Sequence, residues 1–272
     1  MPSCCEKLAR AANPANQGWK TGAARPMRAS YRLGFSNRSV RQCAQAGRPS
    51  ASADCGGRSR LQPGYRSTID NMQPVLKLDL AARLRSGEPV VLELGCGPHK
   101  TPGRLGIDRI DLPGVDIVTN IDEGLGFLPD GSVDAIYSES FFEHVSNLEH
   151  LVSEVVRVLK PNGYNWLFVP HFSNPYYYSD YTHKNFFGLY TLRYFCADEH
   201  QLKRKVPNFY SGTRIRVVSQ RMIFSSTFKG LRFLKKVFQK LVNLNTWTQE
   251  FYEENLCYLV PCYGMEIRFE RV

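Results

Sequence analysis

Val90-Val91-Leu92-Glu93-Leu94-Gly95-Cys96-Gly97 is a short apolar run, broken by one carboxylate and closed by two glycines around a cysteine. A run of that length, apolar on both faces, reads as a buried strand of a parallel sheet. The glycines remove the side chains that would keep a ligand off the backbone. In an open parallel sheet, ligands bind at the carboxyl ends of the strands where strand order reverses, usually beside the first strand's turn. A nicotinamide-type G-x-G-x-x-G would need a glycine at position 100, which is Lys100, so a dinucleotide oxidoreductase is disfavoured.

Outward from this stretch the pattern repeats. Segments 105–110 and 115–118 are short apolar runs bounded by Gly, Pro or Asp, and the turn Pro129-Asp130-Gly131-Ser132 leads into a strand over 133–137. A helix follows, with Ser146 and Glu149 as an expected capping box and Leu148, Leu151, Val152, Val155, Val156 and Leu159 as its apolar face. Pro161-Asn162-Gly163 is expected to end it, before a fifth strand over 166–170. Alternation over 214–218 and 265–269 suits two final strands. The expectation is an α/β fold: one doubly wound, mostly parallel, seven-stranded sheet.

The second strand ends in Asp108, where a carboxylate can accept both hydroxyls of a ribose, and Asn120-Ile121-Asp122 after the third can flank an adenine amino group. E-x-G-x-G, a strand-terminal Asp, N-x-D, P-D-G-S-V-D-A-I-Y, the E-H-V of Glu143-His144-Val145 and the turn Val158-Leu159-Lys160-Pro161-Asn162-Gly163 follow one another in order. That ordered set resembles the class I S-adenosylmethionine-dependent methyltransferases, in particular the small type 11-like domain, over residues 75–272. The resemblance implies a Rossmann-like methyltransferase fold and S-adenosyl-L-methionine as cofactor. It implies cofactor contacts from Glu93, Gly95, Cys96, Gly97, Asp108, Ile121, Asp122, Ser140 and Phe141. Glu93, Asp108 and Asp122 should then border one hollow.

The chain departs from the family in two places. His99 stands where a third glycine is common, and only residues 98–104 separate the first two strands, too few for the usual crossover helix. A shortened first helix, reduced to a turn, is expected. A non-catalytic binding or scaffold protein keeping the fold is the alternative this raises.

Candidate catalytic residues follow the fifth strand, in Pro170-His171-Phe172-Ser173-Asn174-Pro175, Tyr176-Tyr177-Tyr178 and Asp180-Tyr181-Thr182-His183. A hydroxyl acceptor usually needs a general base, for which His171, Asp180 and His183 are the candidates, and the rings can stack on a sugar. In a purely structural reading, Asp180 or Thr182 caps a helix through 185–194. His144 reads as structural, beside the cofactor strand. The acceptor class expected is a small molecule or saccharide.

Charge sorts the partners. The chain of 272 residues has a formal net charge of +10, but residues 1–66 hold twelve Lys/Arg against Glu6 and Asp54, so the remainder is balanced. That leader, rich in Ala, Ser, Gly and Pro without periodicity, is read as a disordered basic tail. An organelle transit peptide (mitochondrial or plastid) and translated sequence upstream of a start at Met72 are alternatives to a cytoplasmic protein. Residues 201–249 contain eleven Lys/Arg and no Asp/Glu, which motivates RNA methylation as an alternative. No aromatic-and-basic RNA motif accompanies them, so nucleic acid is disfavoured. Within this stretch 231–242 is amphipathic, with Leu231, Leu234, Val237, Phe238 and Leu241 on one face and Arg232, Lys235, Lys236 and Lys240 on the other, a pattern suited to peripheral membrane contact. No run is long enough for a bilayer-spanning helix. Cys96, Cys196, Cys257 and Cys262 are scattered, without a CxxC or nearby histidine set, so neither disulfides nor a metal site is expected. Oligomeric state is not legible.

Overall fold

A computed structural model describes residues 73–272; the leader over 1–66 and Met72 lie outside them. In chain order the elements are β1 (Val75–Leu76), α1 (Leu80–Arg85), β2 (Val91–Leu94), β3 (Leu105–Asp108), β4 (Ile117–Val118), β5 (Val133–Glu139), α2 (Leu148–Val158), β6 (Leu159–Pro170), β7 (Ile215–Ile223), α3 (Lys229–Val242), α4 (Thr246–Asn255) and β8 (Gly264–Arg271). They form one sheet in the order β1-β4-β3-β2-β5-β6-β8-β7. The five strands from β4 to β6 pair in parallel. β8 runs antiparallel to both β6 and β7. This is the Rossmann-like, mostly parallel fold expected, with strand order reversing between β2 and β5. An eighth strand, β1, adds a two-residue antiparallel edge to β4.

The central strands are apolar because both faces are covered: Leu92, Leu94, Ile107, Ile117, Ile136, Leu167 and Ile267 are fully buried. Helix α2 closes one face through Leu151, Val152, Val155 and Val158. No helix forms between β2 and β3; residues 98–104 are turns. Lys100 anchors that connection to Asp116 at 2.5 Å, and Asp116 also accepts the Gly106 amide at 2.8 Å.

Three local expectations change, and the amphipathic segment 231–242 falls within a helix. The cap of α2 is Asn147, accepting the His150 amide at 3.0 Å, because the hydroxyl of Ser146 is committed to Asp122 at 2.8 Å. β6 begins at Leu159, so Pro161-Asn162-Gly163 lies within its bounds; Asn162, at φ +70°, falls at an irregularity in the pairing with β5. Residues 185–194 form no α-helix; their last four residues belong to a 3-10 turn, Thr191–Phe195. Helix α3 presents only its edge to the core: Val242 is buried and Phe238 packs against it, while Leu231, Leu234, Val237 and Leu241 are exposed.

Candidate functional site

A hollow of about 460 Å³ opens at the carboxyl ends of β2, β3, β4 and β5, bordered among others by Gly95, Asp108, Ile110, Ile121, Asp122 and Phe141. His144, Tyr181, Thr182 and Lys184 form its other side. The size suits a cofactor-sized ligand. A second hollow of equal volume, between β7 and α4, lies away from these strand ends, and its Glu250 already binds the Tyr190 hydroxyl at 2.9 Å.

Gly95 turns the chain out of β2 at φ +66°, and a β-carbon there would lie 2.6 Å from the Phe141 ring. Conformation and close packing both demand glycine. Gly97, at φ +54°, has open space where a β-carbon would stand. Its amide donates to Asp108 Oδ2 at 2.9 Å, while the Ile110 amide donates to Oδ1 at 3.0 Å, so two backbone groups aim the carboxylate. Each carboxylate oxygen keeps a further lone pair for a ligand. Asp122 accepts the Ser146 amide and hydroxyl at 2.7 and 2.8 Å. Ser140 sits at φ +51°, a costly conformation for a non-glycine residue, held by its amide's 2.9 Å bond to the Phe168 carbonyl.

Of the residues matched to cofactor binding, Gly95, Asp108, Ile121, Asp122, Ser140 and Phe141 line the hollow; Glu93, Cys96 and Gly97 do not. Asp108 and Asp122 thus share it and Glu93 is absent. The reason is the missing crossover helix: Glu93 Oε2 takes the Thr101 amide at 3.1 Å and Arg104 at 3.3 Å, tying down the short connection that replaces it. Cys96 is half-buried, and burial, with the charges of Asp108, Glu93 and Asp116, pushes its thiol up to about 11. It stays protonated near neutrality.

The far side of the hollow is built by two segments distant in sequence. Glu143 and His144 lie in a 3-10 turn, Phe142–His144, after β5. Asn185 pins the later loop to it, donating to the Phe142 and Val145 carbonyls at 3.2 and 2.7 Å, and the Lys184 and Asn185 amides both donate to the Glu143 carbonyl. The His144 and His183 rings end 4.8 Å apart. His183 Nδ1 donates to the Tyr177 carbonyl at 2.9 Å. The Thr182 hydroxyl donates to Asp180 at 2.5 Å and therefore accepts from His144 Nδ1 at 3.0 Å. Both rings are thus held through Nδ1, which donates to the protein. Asp180 Oδ2 lies 3.6 Å from His183 Nε2, and the Thr182 hydroxyl holds the Asp180 carboxyl below its ordinary range.

Glu143 is fully buried, and neither carboxylate oxygen has a hydrogen-bond partner among the described residues. Burial, followed by the charge of Asp180, pushes it up to about 7. Burial and the neighbouring His183 lower His144. His144, read from sequence as structural, therefore belongs to the wall of the hollow. His171 goes the other way: it is fully buried, with Nδ1 on the Ser173 hydroxyl at 2.8 Å and Nε2 on Glu253 at 3.1 Å. It does not line the hollow; Asp180 and His183 do not line it either, but their chain neighbours Tyr181, Thr182 and Lys184 do. The partner that occupies it, Glu253 on α4, is 82 residues away, so no local signal separated His171 from His183.

Residues 105–167 match the family described as a methyltransferase domain. No curated protein matches the sequence. Among solved structures, the chain is similar to a SAM-dependent methyltransferase from Archaeoglobus fulgidus, at 20% identity over 71% of this chain and 93% of that one, with a TM-score of 0.44. It is also similar to an S-adenosylmethionine-dependent methyltransferase from Mesorhizobium loti, at 15% identity over 70% and 96%, TM-score 0.41. A third similarity is to geranyl diphosphate C-methyltransferase from Streptomyces coelicolor, at 16% identity over 68% and 71%, TM-score 0.40. The match over 105–167 lies on a sheet whose order reverses beside Gly95, so that segment is similar to a methyltransferase domain.

Proposed function

We propose that the chain transfers a methyl group to a hydroxyl of a small molecule or saccharide, holding the donor near Gly95, Asp108 and Asp122 and the acceptor near Asp180 and His183. The observation that carries this reading is the two-ended hollow, with a backbone-aimed carboxylate at one end and, at the other, His144 on the wall with His183 stacked beside it, each ring held through Nδ1. S-adenosylmethionine, when bound, supplies an activated methyl carbon on a sulfonium, so the protein's work is alignment and exclusion of water.

Asp108 has lone pairs left for the ribose diol, the exposed side chain of Ile110 offers an apolar face to a base, and Phe141 and Ser140 close the methionine side. Glu93, Cys96 and Gly97 act behind this surface, as the frame of the turn. An acceptor hydroxyl must lose its proton as it is alkylated, and the Asp180–His183 end is where a proton can be taken. Tyr181, 96% exposed on the rim, with Tyr176 and Tyr178 nearby, gives a sugar ring faces to stack on. Incubation of the full chain and methyl-labelled cofactor with a cell lysate is expected to label a small molecule or glycan. Label in RNA alone would favour the nucleic-acid reading, and no labelled product would favour a binding protein.

A separate observation supports contact with a lipid surface. Phe233 at 70% exposure and Leu234 at 62% stand beside Arg232, Lys235, Lys236 and Lys240 on α3, and Leu244 and Trp247 continue the exposed apolar surface. Basic charge flanking apolar side chains fits an anionic bilayer. Among the described residues no helix is long and apolar enough to cross a membrane. The full chain is expected to sediment with phosphatidylserine vesicles and Phe233→Glu/Leu234→Glu to remain in solution; equal sedimentation of the two proteins removes the idea.

A further inference from the structure

Glu143, His144 and His183 each offer one ligand atom, and the three atoms lie within 4.8 Å of one another. Glu143 Oε1 and His144 Nε2 are 3.9 Å apart. An ion bonded at about 2.1 Å to each ligand separates them by about 3–3.5 Å, so a modest inward movement of the side chains closes the set. Two features go beyond proximity. The buried Glu143 carboxylate has no hydrogen-bond partner among the described residues, and leaving such a group unanswered is costly. Each imidazole is oriented through its Nδ1, one by the Tyr177 carbonyl and one by the Thr182–Asp180 pair, and neither Nε2 makes a hydrogen bond among the described residues. Ligating histidines are commonly held in this way, by a carbonyl or carboxylate on the other ring nitrogen.

We propose that Glu143, His144 and His183 bind one divalent transition-metal ion at the acceptor end of the hollow, with Thr182, Asp180 and the Tyr177 carbonyl orienting the ligands. Two imidazoles and one carboxylate suit zinc, manganese, iron(II) or cobalt(II), and are poor for an ion that demands an all-oxygen shell. His144 lines the hollow, so a substrate hydroxyl entering beside it can bind the ion and have its pKa lowered. That use of the ion rests on the methyl-transfer reading; the site itself does not.

Cobalt(II) serves as the probe because its visible bands report ligand type. Full-length protein stripped with a chelator is titrated with cobalt(II), and S-adenosylhomocysteine binding is measured on the same samples. The expected result is one equivalent bound with visible bands and no thiolate charge-transfer band. Glu143→Gln and His183→Ala should each weaken binding by at least a hundredfold, and Thr182→Ala by about 10–100-fold, all three still binding S-adenosylhomocysteine. No cobalt binding, equal affinity in Glu143→Gln and His183→Ala, or a thiolate band retained in both overturns the site. If S-adenosylhomocysteine binds while cobalt does not, the metal inference fails and the methyltransferase reading stands.

Discussion

At the end of the hollow formed by β2 and β3, the protein answers its own polar groups: Asp108 has the Gly97 and Ile110 amides, Asp122 has Ser146, and the Cys96 thiol is held neutral. At the end formed by the Phe142–His144 turn and the 177–185 loop, polar groups are brought together and left open: among the described residues, Glu143 has no hydrogen-bond partner and the two Nε2 atoms have no donor. Carboxylates fixed by backbone amides make a rigid receptor that recognises by shape and hydrogen bonding. A buried acid without a partner among the described residues, beside oriented imidazoles, is costly to the fold, and such groups are typical of places where chemistry is done. The two ends should therefore fail differently when damaged.

The largest separation is expected from His183→Ala. Methyl incorporation in the labelled lysate should fall by about 10²–10⁴-fold, while S-adenosylhomocysteine affinity measured by calorimetry stays within about twofold of wild type. Loss of cofactor binding without a specific loss of turnover would erase the distinction between the ends. His171→Ala is the matched control from the same stretch of chain. It removes a buried ring from Ser173 and Glu253, so urea unfolding should show about 2–4 kcal/mol of lost stability. A change in that midpoint no larger than for a surface substitution would put His171 back among the catalytic candidates. The smallest effect belongs to Asn185→Ala, which removes the two bonds fastening the loop to the turn. About 1–2 kcal/mol of stability should be lost, with turnover reduced further than this alone explains. Unchanged turnover would mean that the loop keeps its place without the fastening.

The same contrast explains what could be read from the sequence. The sheet was legible because parallel strands buried on both faces must be apolar and must end in turns, and the order of acidic and glycine positions followed from where those strands end. Asp108 and Asp122 stand at or just past strand ends, and the Gly97, Ile110 and Ser146 groups that hold them are no more than 24 residues away. Glu93 stood in the same pattern but serves the 98–104 connection; the missing helix was visible in the spacing, yet what would anchor its replacement was not. The acceptor end depends on Asn185 reaching back about forty residues to the Phe142–His144 turn, a contact that no local periodicity encodes. His144 was for that reason read as structural and the gathering of Glu143, His144 and His183 went unseen. For α3, amphipathic spacing reveals that an apolar stripe exists, not whether the protein has anything to lay against it.

Calorimetric titration of the full chain with S-adenosylhomocysteine, in wild type and Asp108→Ala, tests most directly whether the hollow at the ends of β2 and β3 is a cofactor site. One equivalent should bind to wild type, and Asp108→Ala should weaken it by about 10–100-fold, as expected for lost hydrogen bonds to a charged acceptor. No heat of binding in the wild type, or equal affinity in both proteins, would contradict the assignment of that end to the cofactor.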